Sequence, residues 1–207
     1  MGLRSDIVSI YKQDWKLFIG INIFYFGMVL IGAIIALISP ATQGYLISLS
    51  SKGLSTGPFS TVGQAYMSGA ILYAAMVTFV FNFFVGTLAY ITIPSIVVAP
   101  WALLLGMIRA LMWGIMLVVP YGSLTISRLV PHYLTMLLEG EGYIVAIFAS
   151  VRQLVAALYP QRYGEGSRWK AYLKAVQDNI KLLIVVAVLL AISALYEAWE
   201  VPFFAGN

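Results

Sequence analysis

Arg128, His132, Thr135 and Glu139 recur at i, i+4, i+7 and i+11 within SLTISRLVPHYLTMLLEGEGYIV, positions 123–145. That spacing puts all four on one face of an α-helix, with Leu129, Val130, Tyr133, Leu134, Leu137 and Leu138 covering the remainder. An imidazole and a carboxylate on a common face can share a proton or, with a third ligand, hold a metal. A single histidine with no HExxH and no second histidine is a weak basis for a metal, so neither metal nor cofactor is expected. The plainer reading is that His132 and Glu139 satisfy one another, Arg128 and nearby backbone. Glu141, between Gly140 and Gly142, is expected at the level of lipid headgroups.

Other ionisable groups interrupt apolar segments elsewhere. Arg109 lies near the middle of one, where an arginine costs about 2.5–3.5 kcal/mol on insertion scales unless it finds water or a partner. Glu197 lies in another, so Arg109 and Glu197 are expected to pair. Glu200 follows Glu197 by one turn, on the face that carries Ser193. Asn82 is expected to make an interhelical hydrogen bond, worth about 0.6 kcal/mol on average.

These groups stand in an oily chain. Of 207 residues, 61% are hydrophobic and only 10% charged, far from the roughly 25% charged of soluble domains. The chain therefore reads as one all-α transmembrane domain. Runs of about 20 apolar residues argue for helices rather than the alternating strands of a barrel. With no cysteine there is no disulfide, thiolate metal site or thiol nucleophile. The net charge of +4 comes from basic residues beside membrane segments, which points to topology and the lipid bilayer and not to nucleic acid.

Residues 1–16 place Leu3, Ile7, Ile10 and Tyr11 on one face, as an interfacial helix would, with Trp15 and Lys16 at the membrane boundary. Spanning helices are expected at 17–38, 65–90, 96–119, 142–159 and 180–202, with 39–64 a polar loop carrying the one charge Lys52. The run 17–38 is longer than the core of a signal peptide and is expected to stay attached. Residues 160–179 form a basic loop and surface helix. Arg162, Arg168, Lys170, Lys174 and Lys181 cluster here, and Arg4, Lys12 and Lys16 precede the first span, so both regions are expected to be cytoplasmic and the C-terminus outside the plasma membrane. Gly32 with Ala36, and Gly106 with Ala110 and Gly114, are small residues four apart that let another helix approach closely.

Parity then constrains 123–140. With five crossings already placed, this stretch is expected to be a re-entrant or interfacial helix turned at Gly140–Gly142, dipping in from the outer side. Pro131 suits the first turn of such a helix. GxSxG, HExxH and GxxxxGKS or GxxxxGKT motifs are absent, so nothing argues positively for an enzyme.

Four elements, in order, give the chain a resemblance to the stage II sporulation protein M family of bacterial and archaeal membrane proteins. Phe81-Asn82 resembles the family's element in the second span, and Arg109-Ala110-Leu111-Met112-Trp113-Gly114 an arginine-containing version of its Asn-Gly…Gly segment. Leu129-Val130-Pro131-His132 is similar to its Leu-Pro-His element and Ala194-Leu195-Tyr196-Glu197-Ala198 to its closing Ala-x-Ile-Glu-Ala. The family's glutamate four residues after the histidine is Met136 here. The resemblance implies a multi-spanning, non-enzymatic scaffold that localises envelope proteins, and the small-residue ladder adds an expected homodimer or other membrane-protein partner. Two other readings stay open. One is a transporter, channel or transporter subunit with Arg109, His132, Glu139 and Glu197 lining a path for an ion, lipid or small solute. The other is a lipid-active enzyme relying on His132 with Thr135 or Ser127. Whether the four ionisable groups meet in a water-accessible cavity separates the first of these from a scaffold.

Overall fold

The computed structural model describes residues 2–98 and 100–205, with side chains to Val201. Seven helices and no strand occur among the described residues. They are α1 (Leu3–Ile38), α2 (Pro40–Ser55), α3 (Ser60–Met67), α4 (Ile71–Val97), α5 (Trp101–Leu117), α6 (Ile126–Leu158) and α7 (Arg168–Ala205). Four of them, α1, α4, α6 and α7, are long and apolar enough to cross a bilayer, whereas α5 has 17 residues. The chain is an α-helical membrane protein.

The principal correction concerns 123–140. No turn occurs at Gly140–Gly142; α6 runs unbroken for 33 residues and joins the expected re-entrant helix to the expected span at 142–159. The glycines serve contact instead of reversal. A Cβ on Gly142 would come 2.9 Å from Leu190 Cδ2, and one on Gly140 would come 3.4 Å from Tyr25 Cε1, so their absence lets α7 and α1 lie close against α6. Helix α6 is the axis of the molecule: 78% of its most apolar window is buried, against 33% or less in the other three long helices.

The region 39–64 also departs from a loop. Ser39 accepts a hydrogen bond from Thr42 N–H at the start of α2 and Pro40 stands at the first helical position, where its missing N–H costs nothing. Helices α2 and α3 lie over one end of the bundle, where Gln43 Nε2 donates to the Val119 carbonyl (2.6 Å).

Helix α5 packs mainly on α1, through the small residues. A Cβ on Gly114 would collide with the Val29 carbonyl and stand 2.9 Å from Gly32 Cα; Ala36 is 1% and Ala110 0% exposed. The ladder is thus filled from within the chain. Because the obstacle at Gly114 is backbone, Gly114→Ala should cost about 1–3 kcal/mol, read as a lower thermal midpoint in detergent. Gly106→Ala should cost less, since its Cβ would meet side-chain atoms, chiefly the end of Ile147, and no backbone. Equal losses for the two would mean that the α1–α5 approach is not what Gly114 secures.

Within α4, residues Phe81–Thr92 wind as a π-helix, a wide form found mostly as single turns and often at functional sites. Thr87 Oγ1 donates to the Asn82 carbonyl five residues back (3.1 Å).

Candidate functional site

Most of the ionisable groups in or beside the apolar helices fall into two clusters. Between them α6 contributes Ile144–Ala149, where no residue is more than 2% exposed. Phe148 packs there against Tyr11 (ring centroids 5.5 Å) and Phe18 (5.4 Å).

The first cluster lies beneath α2 and α3. Arg109 on α5 donates from Nη2 to Glu139 Oε1 on α6, and the guanidinium lies 3.9 Å from the centroid of the Tyr143 ring and 4.9 Å from that of Trp113. Aromatic faces and a carboxylate together compensate a cation held away from water. His132 Nδ1 lies 2.5 Å from Glu200 Oε1 on α7, and Thr135 Oγ1 donates to the same oxygen at 3.5 Å. The α6–α7 register that brings these groups together is held by Tyr196 OH donating to the Pro131 carbonyl (3.2 Å) and Ser193 Oγ donating to the Thr135 carbonyl (3.3 Å).

Both expected pairings are therefore exchanged. His132 and Glu139 do not satisfy one another: seven residues apart on one helix, they are separated by about 10 Å along the axis, and each finds a partner on a neighbouring helix. Arg109 pairs with Glu139 and not with Glu197, because α5 lies against α1 and α6 while Glu197 stands on α7. Glu197 stands near the Tyr66 phenol of α3, and Tyr66 OH accepts from Thr78 Oγ1 (3.2 Å).

These groups border an open cavity of about 400 Å³ whose lining includes Asn82, Arg109, His132, Glu139 and Glu197, with Thr78 and Thr135, among mostly apolar side chains of α2, α3, α4 and α5. Asn82, expected in an interhelical hydrogen bond, lines this space. Glu200 stands behind His132, only 2% exposed. Arg128 is partly exposed, with Nη1 3.3 Å from the Ser123 carbonyl, and Glu141 is half-buried away from the cavity.

The second cluster was not read from the sequence. Asp14 and Arg152 are both fully buried, with Arg152 Nε donating to Asp14 Oδ2 at 2.7 Å. Arg152 also reaches Asp178 Oδ2 (3.2 Å) and Gln13 Oε1 (3.3 Å), while Asp14 accepts from Tyr163 OH (2.9 Å) and pairs with Arg162 (2.6 Å). Burial raises the Tyr163 phenol above its ordinary pKa, keeping it protonated as a donor to Asp14. Lys181 bridges Asp6 (3.0 Å) and Asp178 (3.5 Å). The knot joins α1, α6, α7 and the turn at 160–163, and α1 leaves helical geometry at Asp14 (φ −123°, ψ 28°) to deliver the carboxylate. An arginine and an aspartate inside the two segments were the available signal. Alongside, Gln153 and Asn179 are buried with no protein partner for either end of their amides, which is the usual place for an ordered water.

The fold and the cavity define a polytopic helical membrane protein with ionisable groups gathered inside its bundle. Comparison with protein families, curated proteins and solved structures gives no match for this chain.

Proposed function

We propose that the protein is a membrane pathway, a transporter, channel or transporter subunit, that passes an ion or small solute through the cavity beneath α2 and α3. One observation carries this: Arg109, His132, Glu139 and Glu197, drawn from three helices, line a single space of about 400 Å³. A scaffold has no use for ionisable groups facing a void, and charged groups inside membrane segments ordinarily mark ion, proton or substrate paths. The small-residue ladder that motivates a partner-binding scaffold, as the resemblance to the stage II sporulation protein M family implies, is occupied within the chain, Gly114 by α1 and Gly106 by Ile147 of α6. Five crossings, α5 included, bring both basic regions to one end, where Lys181 meets Asp6 and Arg162 meets Asp14. The positive-inside rule makes that end cytoplasmic, so the cavity lies toward the outer face and the Ile144–Ala149 stretch closes it off from the cytoplasm.

The test is flux in proteoliposomes, using three probes: protons reported by an internal pH dye, potassium by an internal indicator, and a headgroup-labelled lipid. At least one flux should depend on the protein and fall tenfold or more in both His132→Ala and Glu197→Gln. A protein-independent result for all three, or a flux that neither variant alters, removes the reading.

A further inference from the structure

The charged cavity shares a wall with a second. That one, about 430 Å³, is a groove between α4 and α5 lined by Gly86, Tyr90, Ile91, Leu105, Ile108 and Met116, and by Arg109, Met112 and Trp113, which line both spaces. Apart from Arg109 its walls carry no charge, and Tyr90 (58% exposed) and Ile108 (43% exposed) stand on the outer surface of the helix pair, where a membrane protein meets hydrocarbon. A space with four ionisable groups set in a largely apolar lining thus adjoins one whose only charge is Arg109 and that opens toward lipid.

The charges of the polar space do not balance. Arg109 is taken by Glu139 and His132 by Glu200, so Glu197 has no base bonded to it, with His132 and the Tyr66 phenol nearby. Two bases face three acids, and a carboxyl held away from water either keeps its proton or draws a cation. Among the described residues no three His, Asp or Glu side chains are grouped to hold a metal ion. Phe59, Phe81 and Trp113 belong to the same lining, and aromatic rings suit an amine or quaternary ammonium.

We propose that the solute is an amphiphile with a positively charged amine or ammonium head: the head occupies the cavity against Glu197, and the apolar chain passes Met112 and Trp113 into the α4–α5 groove and out toward lipid. This rests on the pathway reading and names its solute.

Trp113, in the shared wall, supplies the test. In detergent micelles, (11-bromoundecyl)trimethylammonium should quench Trp113 saturably, the share belonging to Trp113 being defined by Trp113→Phe. Half-saturation should lie at least tenfold below that of 11-bromoundecanoate, which has the same chain and an anionic head. Glu197→Gln should raise the half-saturating concentration tenfold or more, and Ile108→Phe, which fills the groove, should raise it several-fold, both variants keeping wild-type helicity and elution volume. Equal binding of the anionic probe overturns the cationic head. Quenching that does not saturate, or that Glu197→Gln leaves unchanged, is partition into the micelle and overturns the site. No quenching of Trp113, with proton flux still lost in Glu197→Gln, overturns the amphiphile while leaving the pathway standing, with a proton as the cation on Glu197.

Discussion

Arg152→Met should lower the stability of the bundle by about 3–5 kcal/mol, the range for removing one partner of a buried ion pair. The reason lies in what remains. Arg152 and Asp14 are each 0% exposed, and the same guanidinium also reaches Asp178 and Gln13. Methionine fills much of the volume but leaves the Asp14 carboxylate buried beside Asp178, with Arg162 and Lys181 to serve them from partly exposed positions. Total stabilities of about 5–15 kcal/mol are typical, so the loss should show as poor recovery of folded monomer and a thermal midpoint lower by many degrees. Arg152→Lys should recover only part of it, since an ammonium is a point charge and cannot present the fork that Asp14, Asp178 and Gln13 occupy. Asp14→Asn should lose less than Arg152→Met, because Tyr163 OH and Arg152 can still donate to the amide oxygen. If Arg152→Met unfolds at the wild-type temperature, the knot does not hold α1 to α6 and α7.

How far the sequence discloses this arrangement depends on the range of the interaction. Periodicity within one helix is local, and the face carrying Arg128, His132, Thr135 and Glu139 is real: His132, Thr135 and Glu139 all line the cavity. Hydropathy is local too, and a helix stands at each apolar run it marks, but three of them, Leu3–Ile38, Ile126–Leu158 and Arg168–Ala205, begin more than ten residues before the expected spans. Which group meets which is set by the register of one helix against the next, and that information is spread over contacts such as Tyr196 with the Pro131 carbonyl and Gly142 with Leu190. Reading His132 with Glu139 joins residues on one helix, while the partners chosen, Glu200 and Arg109, are 68 and 30 residues distant in the chain. Gly140 and Gly142 show the same ambiguity at the backbone. In a bilayer a glycine pair can turn a chain or admit a neighbour, and only the presence of Tyr25 and Leu190 beside them decides between the two. The π-helical turns of Phe81–Thr92 have no composition of their own; Gly86 there faces Tyr143 OH, a contact 57 residues away in the chain that no local pattern encodes.

Arg109 and Glu139 should behave as a unit whose removal separates stability from transport. Arg109→Met strands Glu139, whose side chain is 7% exposed, and should cost about 3 kcal/mol, the lower end of the range for a buried pair. Glu139→Leu should cost less, about 1–2 kcal/mol, because Arg109 is 31% exposed, keeps the Tyr143 and Trp113 faces, and can turn toward water in either cavity. The double variant leaves no unpaired charge and should be more stable than Arg109→Met alone, with a coupling of about 2 kcal/mol in a double-mutant cycle of unfolding in detergent. Losses that simply add would mean that the aromatic faces, and not the carboxylate, hold the guanidinium. The same double variant discriminates between a structural and a transporting role for the pair. If the two charges serve only to join α5 to α6, an apolar replacement that restores stability should restore flux as well. If they belong to the path, the recovered protein should remain tenfold or more below wild type, because the cavity then retains Glu197 and the His132–Glu200 pair but has lost the charges that face its shared wall.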